Sequence, residues 1–163
     1  MKTQPLCFAL AIMLFAADST FTTGQDSKLP DLKLSDFKIG SVVSRPVVDL
    51  KNTGGKGVVI DAWGVNRGPC IALLPEMEKL ASRNSKDTIF IGAECQGSET
   101  EAIMKLVTKN RLSYTITKSG VEGPVEWSSL PYSFVFDPSG NLIYHGRPTG
   151  KDFEKAVRRA GKQ

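Results

Sequence analysis

Apolar and polar positions alternate along the chain in a way that predicts most of its elements. Val58 to Trp63 is a continuous apolar run rich in β-branched residues, broken only by Asp61, the pattern of a strand covered on both faces. From about Gly68 the apolar positions shift to helical spacing, at Ile71, Leu74, Met77 and Ala81, with Pro75 expected to kink the helix after its first turn. Residues 87–95, DTIFIGAEC, read as a second buried strand. Ser98 and Glu101 then have the spacing of a capping box for the helix ETEAIMKLVTKN.

Downstream, SYTIT is a short strand and residues 119–129 read as loop. YSFVFDPSGNLIYH predicts an antiparallel hairpin around a Pro-Ser-Gly turn. Thr149 and Asp152 are expected to cap a last helix whose apolar stripe is Phe153, Ala156, Val157 and Ala160. Upstream of the first buried strand, residues 26–50 have short alternating apolar stretches with prolines, which predicts an extension carrying a β-hairpin or an edge strand, followed by a glycine-rich turn over 51–57.

This order of elements implies an α/β domain of three layers, a mixed sheet sandwiched between outer layers of helix, parallel at its centre and antiparallel at one edge, with an N-terminal β extension. In such sheets reactive groups gather at the C-terminal ends of the parallel strands. Cys70 and Cys95 both fall there.

The 163 residues suffice for one domain with a single well-buried core. The run Leu6 to Ala17, LCFALAIMLFAA, has the length of a signal-peptide core and is too short to span a bilayer. It predicts a signal peptide over residues 1–24, cleaved after Ser19 or Gly24, leaving a secreted or periplasmic domain of residues 25–163; an uncleaved segment would instead be a membrane anchor. Removing it takes Cys7 with it and leaves Cys70 and Cys95 in a compartment where disulfides persist. The net charge of +4 comes partly from the tail KAVRRAGKQ. With no aromatic-interleaved basic motif, that tail reads as a solvated helix end and no nucleic-acid partner is expected. No Cys/His spacing suggests a metal, and no glycine-rich phosphate loop suggests a nucleotide, so no cofactor is expected.

The stretch VVIDAWGVNRGPCIALLP resembles the thioredoxin-like superfamily, in particular the TlpA/ResA-type thiol–disulfide oxidoreductases. Asp61, Trp63, Gly68, Pro69, Cys70 and Pro75 fall in register with that family's buried Asp, Trp, Cys-Gly-Pro-Cys and helical Pro. Pro131, after Leu130, matches its cis-proline facing the active site, and residues 98–117 match the helix and strand that distinguish the TlpA type. The resemblance covers roughly residues 30–160 and implies a thioredoxin-like fold and exchange with protein thiols or disulfides or a small thiol.

The departures fall at the reacting position itself. Arg67 stands where the family has its attacking cysteine, and Asn66 where it has a Trp; arginine forms no disulfide, so the usual dithiol exchange is unavailable. A peroxidase relative would need Thr where Arg67 stands.

Three readings of Cys70 follow. It pairs with Cys95 as a relocated dithiol; it forms mixed disulfides as a lone thiol, favoured by Arg67 and the helix N-terminus; or it is a small core residue of a redox-inactive binding or structural module. In the last case a peptide groove would lie between the Arg67 loop and Pro131, with Leu130 beside it and Trp63 and Trp127 as candidates to flank it, although aromatic packing is the role favoured for Trp63. The resemblance implies that Asp61 exchanges a proton with the Cys70 thiol. His145, the sole histidine, reads as an ordinary half-exposed strand residue.

Overall fold

The computed structural model describes residues 29–44 and 46–162. The expected signal segment 1–24 lies outside them.

The chain enters through a 3-10 turn, Leu34–Asp36, and two short strands, β1 (Lys38–Ile39) and β2 (Val42–Ser44). Strand β3 (Gly57–Trp63) is buried at every position, as its unbroken apolar run requires. Helix α1 (Gly68–Asn84) follows, then β4 (Thr88–Glu94), α2 (Thr100–Asn110), β5 (Thr115–Thr117), β6 (Val121–Glu122), β7 (Tyr132–Phe136), β8 (Leu142–Gly146) and α3 (Gly150–Ala160). The main sheet has six strands in the order β2-β5-β4-β3-β7-β8. Its centre is parallel, β3 with β4 and β4 with β5, while β7, β8 and β2 run antiparallel to their neighbours. β1 and β6 form a separate two-stranded antiparallel sheet.

Side chains alternate across the sheet and define two cores. One holds Val59, Trp63 and Val135 from the sheet with Cys70, Leu74 and Met77 of α1, Ile103 of α2 and Phe153 of α3. All three helices therefore cover the same face. The other core holds Val58, Ile60, Ile91, Phe134 and Phe136, closed over by Leu34 and Phe37 of the N-terminal extension and, at its margin, by Val121, Val125 and Trp127. Phe37 meets Phe136 edge-on with ring centroids 5.0 Å apart. The expected mixed-sheet α/β architecture is present, with the extension and the 119–129 segment building the outer layer opposite the helices.

Several local expectations differ. α1 continues past Pro75 to Asn84 without a break in its helical assignment. α2 starts one residue after its N-cap Glu99, and no side chain caps it; the Ser98 hydroxyl is instead drawn to Glu94. Thr149 is the N-cap of α3 without a side-chain cap bond, so neither capping box forms. The extension supplies an edge strand, β2, and not a hairpin, because β1 and β2 pair into different sheets. Part of the 119–129 segment, read as loop, is β6, which gains its ladder from β1 about eighty residues earlier. In the strands a partner distant in sequence prevails over a local preference, and at Ser98 the buried carboxylate of Glu94, four residues earlier, does so.

Candidate functional site

The site forms where β3 and β4 end side by side, Trp63 opposite Glu94 in parallel register. After Trp63 the chain turns through residues 64–67, closed by the Arg67 N–H donating to the Gly64 carbonyl at 3.2 Å. Arg67 is the N-cap residue of α1 and Pro69 lies in the first turn, where its missing N–H leaves no helical bond unmade. This places Cys70 in the first turn of α1, within the helix-side core at 1% exposure. Arg67 is exposed, and no described carboxylate pairs with it.

Asp61 lies beneath that turn. It sits on the same face of β3 as Val59 and Trp63 and is 4% exposed. Its register partner on β7 is Ser133, whose hydroxyl donates to Asp61 Oδ1 at 2.7 Å. Burial pushes the Asp61 carboxyl up to about 7, against the lowering effect of the Ser133 hydrogen bond. The Cys70 thiol is also raised, first by burial and then by the Asp61 charge, while a backbone hydrogen bond at Gly64 and the Arg67 guanidinium act to lower it. The Leu130–Pro131 peptide bond is cis. Pro131 is buried, and half-buried Leu130 packs against the helix-side core.

The structure does not bring all the expected residues together. Cys95 directly follows β4, where its side chain packs against the core on the other face of the sheet. Its thiol donates to the Ala93 carbonyl at 3.2 Å, and burial pushes it up to about 11. Both cysteines are free. The relocated Cys70–Cys95 dithiol is thus not formed, because the two sulfurs belong to cores that the sheet separates. Trp63 is 1% exposed and lies in the helix-side core, in keeping with the packing role favoured for it over a place beside the groove. Trp127 packs with the opposite core, stacked on Tyr132 at 5.7 Å, and Tyr132 shares a 2.8 Å hydrogen bond with His145. Among the described residues no group of three His, Cys, Asp or Glu side chains could hold a metal.

Four participants escaped the sequence reading: Ser133, Gly64, Glu94 and Gln96. Glu94 is fully buried, and its carboxylate accepts hydrogen bonds from the Gln96 N–H at 3.1 Å, the Ser98 N–H at 3.1 Å and the Ser98 hydroxyl at 2.8 Å. A carboxylate closing the apolar run IFIGAE is the same signal that singled out Asp61 and could have found it. Nothing local marks Ser133 or Gln96, whose partners lie 72 and 30 residues away.

No protein-family model matches the chain. It is 26% identical over 171 aligned residues to a thiol–disulfide oxidoreductase ResA of Bacillus cereus, covering 98% of each protein. Among solved structures, a thiol:disulfide interchange protein of the thioredoxin family from Chlorobium tepidum superposes with a TM-score of 0.64 at 18% identity, over 78% of this chain and 94% of that one. A secreted Mycobacterium tuberculosis disulfide oxidoreductase homologous to Escherichia coli DsbE gives a TM-score of 0.59 at 20% identity, over 74% and 94%. With its mixed sheet and buried Asp61, the chain has a thioredoxin-like fold and is similar in sequence to ResA-type thiol–disulfide oxidoreductases.

Proposed function

We propose that the protein carries out thiol–disulfide exchange through a single sulfur, Cys70, with Asp61 as its proton acceptor and with protein disulfides or a small disulfide as substrate. The observation that carries this reading is the retained, Ser133-bonded carboxylate of Asp61 raised to about 7 beside a raised Cys70 thiol. A thiol of high pKa is largely unreactive at neutral pH, and a nearby base half-ionised there supplies what it lacks.

In the forward step the Cys70 thiol gives its proton to the Asp61 carboxylate and the thiolate attacks one sulfur of the external disulfide. The Cys70–substrate S–S bond forms as the substrate's S–S bond breaks, and the departing thiolate takes up a proton. A second external thiol then attacks the mixed disulfide and returns Cys70 to its reduced form. No internal cysteine resolves it, since Arg67 stands at the other motif position and Cys95 on the other face of the sheet. Arg67, exposed at the helix N-terminus, would hold a substrate carboxylate or peptide carbonyl over a groove bounded by Leu130 and Pro131.

We place this activity outside the cytoplasm, in a mature domain of residues 25–163. The support is the apolar segment Leu6 to Ala17 and the likeness to a disulfide oxidoreductase described as secreted. No helix among the described residues is long and apolar enough to cross a membrane.

The near-complete burial of Cys70 favours a second reading, a redox-inactive binding module on the same scaffold. Incubating the reduced protein with glutathione disulfide and weighing the acid-quenched product separates the two. One glutathione adduct on the Cys70 peptide, absent from Cys70→Ser and reversed by added thiol, is the expected result. An unmodified Cys70 under conditions that fully modify the urea-unfolded chain would establish the binding module instead.

A further inference from the structure

The loop after β4 reaches across to the motif turn through one side chain. Gln96 Oε1 accepts the backbone N–H of Asn66 at 2.8 Å, a contact between residues 30 apart in sequence. The same carboxamide lies so close to Gly64 that a methyl group on Gly64 would overlap it. The Gly64 carbonyl in turn closes the turn by accepting the Arg67 N–H at 3.2 Å. Gln96 thus touches the first and third residues of the short segment that separates β3 from α1.

Its own placement is held from below. The Gln96 N–H donates to Glu94 Oε1, Ser98 is tied to the same carboxylate, and the Cys95 N–H donates to the Trp63 carbonyl at 2.9 Å. The Glu94 carboxylate is fully buried, and among the described residues every hydrogen bond it accepts comes from this loop. The Gln96 amide is therefore borne by a rigid support, while the segment it holds has, in Asn66 and Arg67, two exposed residues with no side-chain hydrogen bond among the described residues.

We propose that Gln96 is a positioning residue that latches the Gly64–Arg67 turn over Cys70, with Glu94 as its anchor. The latch accounts for a conflict in the site: Cys70 is 1% exposed, yet exchange requires an external sulfur to reach it. Releasing the Asn66 N–H lets the turn lift from the end of α1 and uncovers the sulfur without disturbing the helix, which packs through Leu74, Met77 and Ala81. A substrate backbone carbonyl that takes the Asn66 N–H in place of Gln96 would open the turn and dock in the same event.

The inference deepens the single-thiol reading and rests on it for its purpose, but its test does not depend on a disulfide forming. Iodoacetamide labelling of the folded protein, resolved on the Cys70 peptide by mass spectrometry, reads how often the turn opens. Gln96→Met keeps the side-chain length and loses the acceptor; Gln96→Glu keeps an acceptor at the same reach. One hydrogen bond of ordinary net strength predicts labelling about five-fold faster in Gln96→Met, with Gln96→Glu within about two-fold of the original rate. Gly64→Ala, which displaces the carboxamide, should match Gln96→Met, and combining the two should add little.

Equal rates in all forms, no labelling in any, equal acceleration in the Met and Glu variants, or an acceleration accounted for by a fall in urea stability would each overturn the latch. Failure of glutathione to form an adduct on the unaltered protein, with the labelling ratios intact, would overturn the exchange reading and leave the latch standing.

Discussion

Ser133 on β7 donates its hydroxyl to the carboxylate of Asp61 on β3, 2.7 Å away, across a register pair of the antiparallel β3–β7 ladder. The bond gives a buried carboxylate one polar partner where full compensation would need several, so Asp61 stays poised near neutrality. Its ordinary unfolded value is near 3.8 and its folded value about 7. The native state therefore binds a proton more tightly between those limits; the stability this gives is fully present at acid pH and is lost progressively as pH rises from 3.8 through about 7. The loss is on the order of 4 kcal/mol across that window. Asp61→Asn should flatten urea-unfolding stability over roughly pH 4–7 and be the more stable form near pH 8, with the advantage shrinking as pH falls and gone below about pH 4.

Removing the partner should move the same group further. In Ser133→Ala the lowering influence on Asp61 disappears, so its carboxyl should titrate above 7 when followed by its infrared or carbon NMR signal. The pH dependence of adduct formation at Cys70 should shift upward with it. An Asp61 titration unchanged by the substitution would show that the hydrogen bond does not set the poise.

Arg67 occupies the position from which a second sulfur would reach Cys70, on a turn that already places it as the N-cap of α1. Arg67→Cys should therefore restore an internal dithiol. The measurement is a count of alkylatable thiols on the peptide that spans positions 67–70 of this variant, which should fall by two on mild oxidation and recover on reduction. Insulin reduction should be faster in this variant than in the unaltered protein. A Cys70 that stays free after oxidation would mean that the turn holds position 67 away from it.

Cys95 packs against the core opposite the one that holds Cys70. Cys95→Ser should accordingly leave the rate of Cys70 adduct formation within about two-fold of the original, while losing at most about 1 kcal/mol of stability from its part-buried sulfur. Loss of adduct formation in Cys95→Ser would place it in the reaction after all.

The outer layer opposite the helices depends on a close backbone approach. The Gly40 N–H donates to the Gly120 carbonyl at 3.1 Å, and a methyl on Gly40 would collide with the Lys118 carbonyl, which is backbone and cannot swing away. Gly40→Ala should destabilise the protein by about 1–3 kcal/mol in urea unfolding. Hydrogen exchange should quicken first in β1 and β6. A stability equal to the original would mean that this pairing contributes nothing to the fold.

The sequence by itself determined the order of the main strands and helices from β3 to α3, the burial of β3 and β4, the hairpin of β7 and β8, and the likeness of its Gly-Pro-Cys stretch to a thioredoxin-like motif. These are properties of periodicity, of unbroken apolar runs and of residue identity at fixed spacing, and all three are local. It also located Asp61 as a carboxylate inside an apolar strand.

Only the tertiary structure decided which face of the sheet each sulfur occupies. Strand side chains alternate, and the segment from Cys95 through Gly120 had to be placed before Cys95 could be assigned to the core opposite Cys70. It decided the helix starts as well, where Ser98 went to buried Glu94 instead of capping α2. It alone joined Asp61 to Ser133 and Asn66 to Gln96, since hydrogen bonds across 72 and 30 residues leave no pattern in a chain read in order. Local sequence sets what each segment can form, and the pairing of distant segments sets which polar groups meet, which is where the chemistry of this site resides.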